Sequence, residues 1–450
     1  MTTAIQAWHD RLAKPDYGAP SAAMLEEQLR RRNLVFGDRP LCTVLRPRFL
    51  TAAQYASMSG RIRRLMRAFT RAHIAAMVDP ALRAQFRLEG WEERLVMGDP
   101  GYKAPSPHGR LDCFWDLERD VLALTEYNAE TPAGAGYHDV LSEAFSVLPV
   151  MRRFRMDWDV RPLQARPGVA SVLLDAWREY RSFGGLPRVA IVDWDDVPTT
   201  SEFEIFREYF ATLGIATEIV DPRALEYKFR MLKAPGGQVD LIYKRVLINE
   251  LIEREGEDTP LVQAVRDGAV CMVNPFRCKL LHKKASLAFL SDERNAALFE
   301  PAERAEIAAQ VPWTRVVEER KTEYGGRSVD LLQFIADEQQ RLVLKPNDDY
   351  GGAGVVLGWT ATSEDWAATI RKALTAPYIV QEKVVVPSEP YPSWVDGRLQ
   401  VVDRMLDTAP FVLNGEVVEG ALTRLSTAAL LNVTAGGGST VPVMVAERRT

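Results

Sequence analysis

Apolar positions recur at three-and-four spacing through the first hundred residues, and this is the period of an amphipathic helix. The spacing predicts helices over 22–31, 52–78 and 80–93. Residues 40–50 break the pattern, with apolar positions ahead of a proline, and predict a short strand that enters the fold. The N-terminal part of the chain is therefore expected to be mainly helical.

Short alternation of apolar and polar residues replaces the helical period after residue 110. It runs through 111–115 and again through 121–128, on either side of the polar segment 117–120. Two alternating runs around a polar turn are typical of a β-hairpin.

Apolar strand patterns and helical patterns alternate between residues 187 and 274, and such alternation predicts a small parallel α/β unit. The predicted strands are 188–193, 216–220, 238–244 and 269–273, and the predicted helices are 201–213 and 260–267.

Further helices and two apolar strands follow this unit. The helices are predicted over 285–290, 301–310 and 364–374, and the strands over 341–345 and 378–384. The proline-rich segment 387–392 reads as a short linker-like break.

The composition describes a folded globular chain. Its 450 residues allow two or three domains, and 47% hydrophobic with 26% charged residues is ordinary for such proteins. A formal net charge of −5 favours no nucleic-acid partner and no anionic membrane surface. The polar opening segment and the four cysteines without a CxxC pair predict a cytoplasmic protein with plain buried thiols.

Most familiar catalytic motifs are missing from the sequence. It contains no GxxxxGK[ST] phosphate loop, no HExxH helix, no GxSxG elbow and no complete GxGxxG turn. No two of its five histidines have the spacing of metal ligands on a helix. Oxygen ligands remain the option for a metal ion.

The predicted hairpin carries the strongest chemical signal. A strand places Glu126 and Asn128 on one face, and a turn near Arg119 sets Asp112 opposite Glu126, with Arg110 on the same face. Three oxygen donors suit Mg²⁺, and a guanidinium suits a phosphoryl group in transfer. The same spacing would also fit an exposed polar face of a hairpin.

A lysine at the end of the strand over 341–345 carries the second signal. Lys345 precedes a glycine cluster that contains Gly351, Gly352 and Gly354, where backbone N–H groups could close over phosphates. A plain turn between two strands is the alternative. The acidic pair 348–349 is awkward beside phosphates, so these two side chains must point away or meet a cation.

Two later segments add weaker signals. The strand over 378–384 ends in Gln381, Glu382 and Val384, and it could bind adenine through its backbone and ribose through a carboxylate, or be only a buried strand. Arg424 and the glycine loop 436–438 could bind substrate or phosphate, or lie in an ordinary surface turn.

Taken in order, these segments resemble the circularly permuted ATP-grasp proteins, the group of glutathionylspermidine synthetase and eukaryotic-type glutathione synthetase. The resemblance covers most of the chain. It implies an α/β (α+β) ATP-grasp fold, circularly permuted, with ATP and Mg²⁺ as cofactors. By resemblance, the residues group as catalytic Arg110 and Arg424; metal-binding Asp112, Glu126 and Asn128; and nucleotide-binding Lys284, Lys345, Gly351, Gly352, Gly354, Gln381, Glu382 and Val384.

The resemblance also implies four parts of the chain. Residues 1–186 hold the helical region and the metal-binding half of the core, and 187–275 form the substrate-side α/β domain. Residues 276–386 form the nucleotide-binding lid and hinge, and 387–450 return to the core with the glycine-rich loop.

The implied activity is an ATP-dependent carboxylate–amine ligase that forms an amide through an acyl phosphate. Its partners would be small-molecule or peptide carboxylates and amines, and relatives often form homodimers. Two alternatives stay open: a non-catalytic ATP-binding scaffold, and an ATP-grasp kinase that stops at a phosphorylated product. No second catalytic domain, such as an amidase, is visible in the sequence.

Overall fold

A nine-stranded, largely antiparallel sheet forms the centre of the computed structural model, which describes residues 1–37, 39–181, 184–348, 352–427 and 438–449. Two large hydrophobic clusters pack on this sheet, one with the longest helix and one with the N-terminal helices. In the described ranges, no helix combines the length and the apolar character that a bilayer crossing requires.

The N-terminal part is mainly helical, as the sequence predicts, but the helix expected over 80–93 is wrong. Two helices form there because the Asp79 side chain caps the first, and a capping box of Glu89 with Glu92 starts the second. The elements are α1 (Thr2–Leu12), α2 (Gly18–Arg31), β1 (Val35–Phe36), β2 (Arg39–Pro40), β3 (Arg48–Leu50), α3 (Ala52–Val78), α4 (Pro80–Ala84) and α5 (Gly90–Val96).

The predicted hairpin is confirmed, and its two strands pair antiparallel at the edge of the large sheet. Three helices and one further strand of the large sheet follow it. The elements are β4 (His108–Asp116), β5 (Val121–Asn128), α6 (Ala135–Ser146), α7 (Pro149–Phe154), β6 (Trp158–Pro162) and α8 (Arg166–Tyr180).

The predicted parallel α/β unit is also confirmed. The elements are β7 (Val189–Val192), α9 (Thr200–Thr212), β8 (Thr217–Val220), β9 (Glu226–Lys228), β10 (Met231–Ala234), β11 (Gly237–Gln238), β12 (Leu241–Lys244), α10 (Ile248–Glu255), α11 (Pro260–Arg266) and β13 (Cys271–Val273). Four of these strands pair parallel in the order β13-β12-β7-β8. Strands β9, β10 and β11 form a small antiparallel sheet that the sequence pattern did not predict.

A second antiparallel sheet follows, in the order β14-β19-β17-β18, and two helices pack on one of its faces. The elements of this part are α12 (Cys278–His282), α13 (Ala285–Ser291), α14 (Pro301–Gln310), β14 (Thr314–Val316), β15 (Lys321–Tyr324), β16 (Arg327–Asp330), α15 (Leu331–Asp337), β17 (Leu342–Pro346), β18 (Val356–Leu357), α16 (Ser363–Ala373) and β19 (Tyr378–Glu382).

The C-terminal part returns to the large sheet, and the proline-rich segment read as a linker is instead a strand at its edge. Proline is tolerated there because an edge strand need not donate all its N–H groups. The strands are β20 (Ser388–Val395), β21 (Arg398–Leu406), β22 (Ala409–Leu413), β23 (Val417–Ser426) and β24 (Ser439–Arg448). Since β22 pairs with both β23 and β4, this return brings Arg424 to the hairpin.

Candidate active site

The hairpin register places the four predicted residues as the sequence analysis expects. Arg110 lies opposite Asn128 and Asp112 lies opposite Glu126, and the register shifts only beyond Asp112. Antiparallel partners share a face of the sheet. The structure therefore brings these four side chains to one face.

Asp112 is the centre of a cluster of guanidinium groups. Its carboxylate accepts hydrogen bonds from Arg110 Nε at 2.8 Å, Arg110 Nη2 at 3.0 Å and Arg424 Nη2 at 2.7 Å. Burial alone would raise the pKa of Asp112, but the two arginines outweigh it and hold the pKa well below its usual value. Asp112 is thus ionised and fixed in orientation.

Asp407 fixes the position of Arg424 through two hydrogen bonds. The Asp407 carboxylate accepts hydrogen bonds from the backbone N–H of Arg424 at 2.7 Å and from its Nε at 2.6 Å. Arg424 therefore bridges two carboxylates, Asp112 on β4 and Asp407 in the connection between β21 and β22. Asp407 was not among the predicted residues, because its partner lies 17 residues away on another strand.

The two predicted lysines lie on the other side of Glu126. Lys284 Nζ is 3.1 Å from Glu126 Oε1, while Lys345 Nζ donates to Gln381 Oε1 at 2.7 Å and to the carbonyl oxygen of Thr125 at 3.3 Å. Burial raises the pKa of Glu126, but Lys284 and Lys345 outweigh it and the pKa is lowered. Glu126 is therefore ionised beside two cations.

Burial also changes Lys345, because a desolvated ammonium group is costly. Desolvation lowers the pKa of Lys345 to about 8, although the nearby Glu126 opposes the shift. At neutral pH this lysine is close to the point where it loses its proton.

Asn347 joins the segments that carry the two lysines. Its carbonyl oxygen accepts the backbone N–H of Lys284 at 2.9 Å, and its Oδ1 accepts the backbone N–H of Ala285 at 2.8 Å. The strand end after Lys345 and the start of α13 are thereby fixed side by side.

Two of the predicted loop glycines have backbone angles that favour glycine. Gly352 has φ +78° and Gly354 has φ +67°. A Cβ on Gly354 would also lie 2.7 Å from Pro346 Cγ. Gly351, Asp349 and glycines 436 and 437 lie outside the described residues.

The predicted hinge strand presents its side chains in two directions. Gln381 faces Lys345, and its Nε2 donates to Thr314 Oγ1 at 3.0 Å. Glu382 accepts a hydrogen bond from Tyr324 Oη at 2.7 Å, and Val384 follows the end of the strand. Since side chains alternate along a strand, Glu382 points away from Lys345.

Asp348, the first residue of the acidic pair, contacts two lysines. This is one of the two outcomes that the sequence analysis allowed for it. Lys279 Nζ and Lys283 Nζ each lie 2.8 Å from Asp348 Oδ2. Burial would raise the pKa of Asp348, but these lysines hold it below its usual value.

Glu130 forms a neighbouring buried ion cluster that the sequence analysis did not find. It is fully buried. Its carboxylate accepts hydrogen bonds from Lys244 Nζ at 3.3 Å, from Lys279 Nζ at 3.1 Å and from the backbone N–H of Ile248 at 2.5 Å. Burial would raise its pKa, but Lys279 and Lys244 lower it to about 2. A single glutamate after a strand carries no pattern that could have predicted this cluster.

A cavity of about 420 Å³ opens beside the hairpin face. Arg110, Asn128 and Arg424 line it, together with apolar side chains that include Phe36 and Leu422. This volume suits a small-molecule ligand. Three of the predicted residues therefore share one cavity.

The parallel unit contributes Asp193 and Arg245 to the wall of the cavity. Asp193 follows β7 and Arg245 follows β12, and these two strands are neighbours. Strand β8 lies on the other side of β7, so the strand order reverses between β7 and β12. Ligands of open α/β sheets bind in the crevice at such a reversal, beyond the carboxyl ends of the strands.

Asp193 lacks a salt bridge, although it is only 8% exposed. The nearby Arg245 pairs with Glu202 instead, at 3.8 Å, and in the ranges that the structure covers Asp193 Oδ1 accepts the N–H of Trp194 at 2.9 Å. Burial raises the pKa of Asp193 to about 6. A buried, unpaired carboxylate on a cavity wall favours a ligand with a cationic group.

The donor set on the hairpin face fits a hard divalent cation. It offers two ionised carboxylates and the amide oxygen of Asn128 on the same face. Asp112 already accepts three N–H groups, so Glu126 and Asn128 have more capacity for a metal. In the same ranges no three His, Cys, Asp or Glu side chains cluster as metal ligands, so such an ion would need further oxygen atoms from phosphates.

Comparisons with known proteins identify a family and several relatives. A family model described as circularly permuted ATP-grasp type 2 matches residues 116–426. A Frankia alni protein named "Putative glutamate--cysteine ligase 2-3" is 28% identical over 251 residues, which are 51% of this chain and 27% of that protein. An uncharacterised Mycobacterium tuberculosis protein is 30% identical over 126 residues, 26% of this chain and 22% of that protein. The chain thus spans about a quarter of the length of these relatives.

The fold itself has a solved counterpart. A glutathione synthetase-like effector from Globodera pallida, in its apo form, aligns with a TM-score of 0.56 and 14% sequence identity. The alignment covers 94% of this chain and 96% of that one. At this identity the likeness shows a shared fold.

Proposed function

Since the chain belongs to the circularly permuted ATP-grasp type 2 family, we propose that it is an ATP-dependent carboxylate–amine ligase. A carboxylate would attack the γ-phosphorus of ATP, and an amine would then displace phosphate from the acyl phosphate to form an amide. One observation carries this proposal: the hairpin face with Arg110, Asp112, Glu126 and Asn128 borders a substrate-sized cavity.

ATP would bind between the hairpin and the second antiparallel sheet. Lys284 and Lys345 would contact its phosphates, with N–H groups of the glycine loop near Gly352 and Gly354. The backbone after Gln381 would meet the adenine. Both lysines lie beside Glu126, so the phosphates would offset the positive charge gathered there.

Glu126, Asn128 and Asp112 would hold Mg²⁺. The ion would offset phosphate charge during phosphoryl transfer. Arg110 would stabilise the charge on the transferring group, since its guanidinium is fixed by Asp112 and by the carbonyl oxygen of Ala133 at 2.7 Å.

The residues that line the cavity favour an amino acid as the substrate whose carboxylate is activated. Asp193 would bind its ammonium group and Arg245 its α-carboxylate, and a second carboxylate would reach Arg110 and Arg424. A dicarboxylic amino acid meets all three requirements. The name of the Frankia relative supports L-glutamate as the first acid and L-cysteine as the first amine to test.

Turnover with hydroxylamine tests the proposal. We expect wild-type protein with ATP, Mg²⁺, L-glutamate and hydroxylamine to release ADP and form a hydroxamate, because hydroxylamine traps acyl phosphates. Glu126→Gln should lower ADP release about 100-fold or more, since it removes a charge that binds the metal. Glu416→Gln, the same change in an exposed turn, is the matched control.

Other outcomes would identify the alternatives. A stable phosphorylated product that hydroxylamine does not trap would identify a kinase. Nucleotide binding without ADP release for any acid in a panel of amino acids and short peptides would identify a scaffold.

A further inference from the structure

His282 is a buried imidazole on the wall of the cavity, and the steps described above leave it without a role. It lies at the end of α12 and is 5% exposed. It lines the same cavity as Arg110, Asn128 and Arg424. Its Nδ1 makes no hydrogen bond with any residue that the structure describes. A buried polar atom without a partner on a cavity wall points to a ligand.

Glu130 lies behind this imidazole. Glu130 Oε2 is 3.8 Å from His282 Nε2, and the Glu130 carboxylate is itself fixed by Lys244, Lys279 and the N–H of Ile248. At 3.8 Å Glu130 is an ion-pair neighbour of Nε2 and not a hydrogen-bond partner. A fixed carboxylate beside one imidazole nitrogen still favours one orientation of the ring and leaves the other nitrogen for a substrate.

We propose that His282, positioned by Glu130, is the general base that deprotonates the acceptor amine in the ligase reaction. This inference rests on the proposed function. An amine enters as an ammonium ion, which has no lone pair for attack. His282 Nδ1 takes one proton and leaves a neutral amine.

The following steps balance without any further reactant. The amine nitrogen forms a bond to the acyl carbon, the bond from that carbon to the phosphate oxygen breaks, and phosphate leaves with the second amine proton as hydrogen phosphate. The imidazolium then returns its proton to solvent. His282 touches only the amine, so formation of the acyl phosphate does not depend on it.

The surroundings of His282 favour the neutral imidazole that this role requires. Burial lowers its pKa, and Lys279 and Lys284 act in the same direction. Glu130 and Asp348 face it as well and oppose the shift, but the net pKa lies below the ordinary value. At neutral pH His282 can accept a proton.

The experiment compares two acceptors in one enzyme. Hydroxylamine is unprotonated at neutral pH and needs no base, whereas the amino group of L-cysteine is mainly protonated. With ATP, Mg²⁺ and L-glutamate, we expect His282→Gln to keep hydroxamate formation within about twofold of wild type. Amide formation with L-cysteine should fall about 100-fold or more, the usual contribution of a general base.

The pH profile separates this role from a structural one. Without a base, the rate of amide formation by the variant should rise about tenfold per pH unit from pH 6 to 8, as the free amine becomes more abundant, while the wild-type rate stays nearly level.

His73→Gln, which removes another buried imidazole in α3, is the control and should change neither rate by more than a few fold. Equal losses with both acceptors, or no loss with either, overturn the proposal. No hydroxamate from wild type with any acid overturns the proposed function instead.

A measurement on wild-type protein does not depend on the variant folding or on the substrates. In ¹⁵N NMR spectra of histidine-labelled protein, the His282 ring should be neutral at pH 7. An imidazolium at that pH overturns the proposal, because it has no lone pair for a proton.

Discussion

At the scale of single residues, the site is set by how each charge is compensated. Asp112 and Glu126 stay ionised because arginines and lysines outweigh the cost of their burial. Lys345 is the opposite case, because desolvation outweighs the attraction of Glu126 and lowers its pKa to about 8. The fold therefore favours the charged form of Glu126 but disfavours the charged form of its neighbour Lys345.

Nucleotide binding should change the protonation of Lys345. Phosphate groups favour the ammonium form, so a lysine that is largely neutral in the free protein above pH 8 should take up a proton when ADP binds. We expect an uptake of up to about one proton at pH 8.5 and almost none at pH 6.5, where Lys345 is already charged. Calorimetric titrations in two buffers of different ionisation enthalpy measure it. Lys345→Arg keeps the charge and should abolish the uptake; an uptake that persists in this variant contradicts the assignment.

At the scale of secondary-structure elements, Asn274 joins the parallel unit to the hairpin. It follows β13, and its Nδ2 donates to the carbonyl oxygens of His108, Ala129 and Glu130 at 2.6, 2.8 and 3.0 Å. Its Oδ1 accepts the backbone N–H of His108 at 3.1 Å. One side chain thus satisfies backbone groups at both ends of the hairpin.

Replacing this side chain should loosen the junction. Asn274→Ala removes hydrogen bonds to one buried N–H and three carbonyl groups. The carbonyls of His108 and Ala129 keep a hydrogen bond from Ser106 Oγ, whereas the N–H of His108 and the carbonyl of Glu130 lose this partner at a cost of about 1–3 kcal/mol each. We expect the free energy of unfolding to fall by about 3–5 kcal/mol, with a lower urea midpoint and an unchanged m value. Asn414→Gly, in an exposed turn, is the control, because glycine accommodates the backbone φ of +51° at that position. A loss below about 1 kcal/mol would show that the junction does not depend on Asn274.

The elements also show what a single sequence can predict. The pairing of Asp112 with Glu126 was predictable because side chains alternate along a strand and the hairpin turn is local. The contacts of Asn274 were not, because the atoms that it joins lie about 145 and 166 residues away along the chain. The strand at 388–395 was missed because prolines are typical of linkers, and only its place at a sheet edge makes them acceptable.

At the scale of the whole molecule, buried ion pairs join parts of the chain that are far apart in sequence. Glu130 at the end of the hairpin contacts Lys244 of the parallel unit and Lys279 of α12. Lys279 also contacts Asp348, beside the segment proposed to bind phosphates. The arrangement of the cavity walls thus depends on carboxylates that must remain ionised.

This dependence predicts how the protein unfolds in acid. The pKa of Glu130 lies at about 2 in the folded protein, below its ordinary value of about 4.3 in an unfolded chain. Its contribution to stability is therefore complete above about pH 5 and is lost as the pH falls toward 2.

Glu130→Gln should lower the free energy of unfolding by about 3 kcal/mol at pH 7, and the difference from wild type should shrink steadily below pH 4.5. Urea unfolding at a series of pH values measures this difference, and Glu416→Gln should show almost none at any pH. A gap between Glu130→Gln and wild type that stays constant from pH 7 to pH 2.5 would mean that Glu130 acts through its shape and not through its charge.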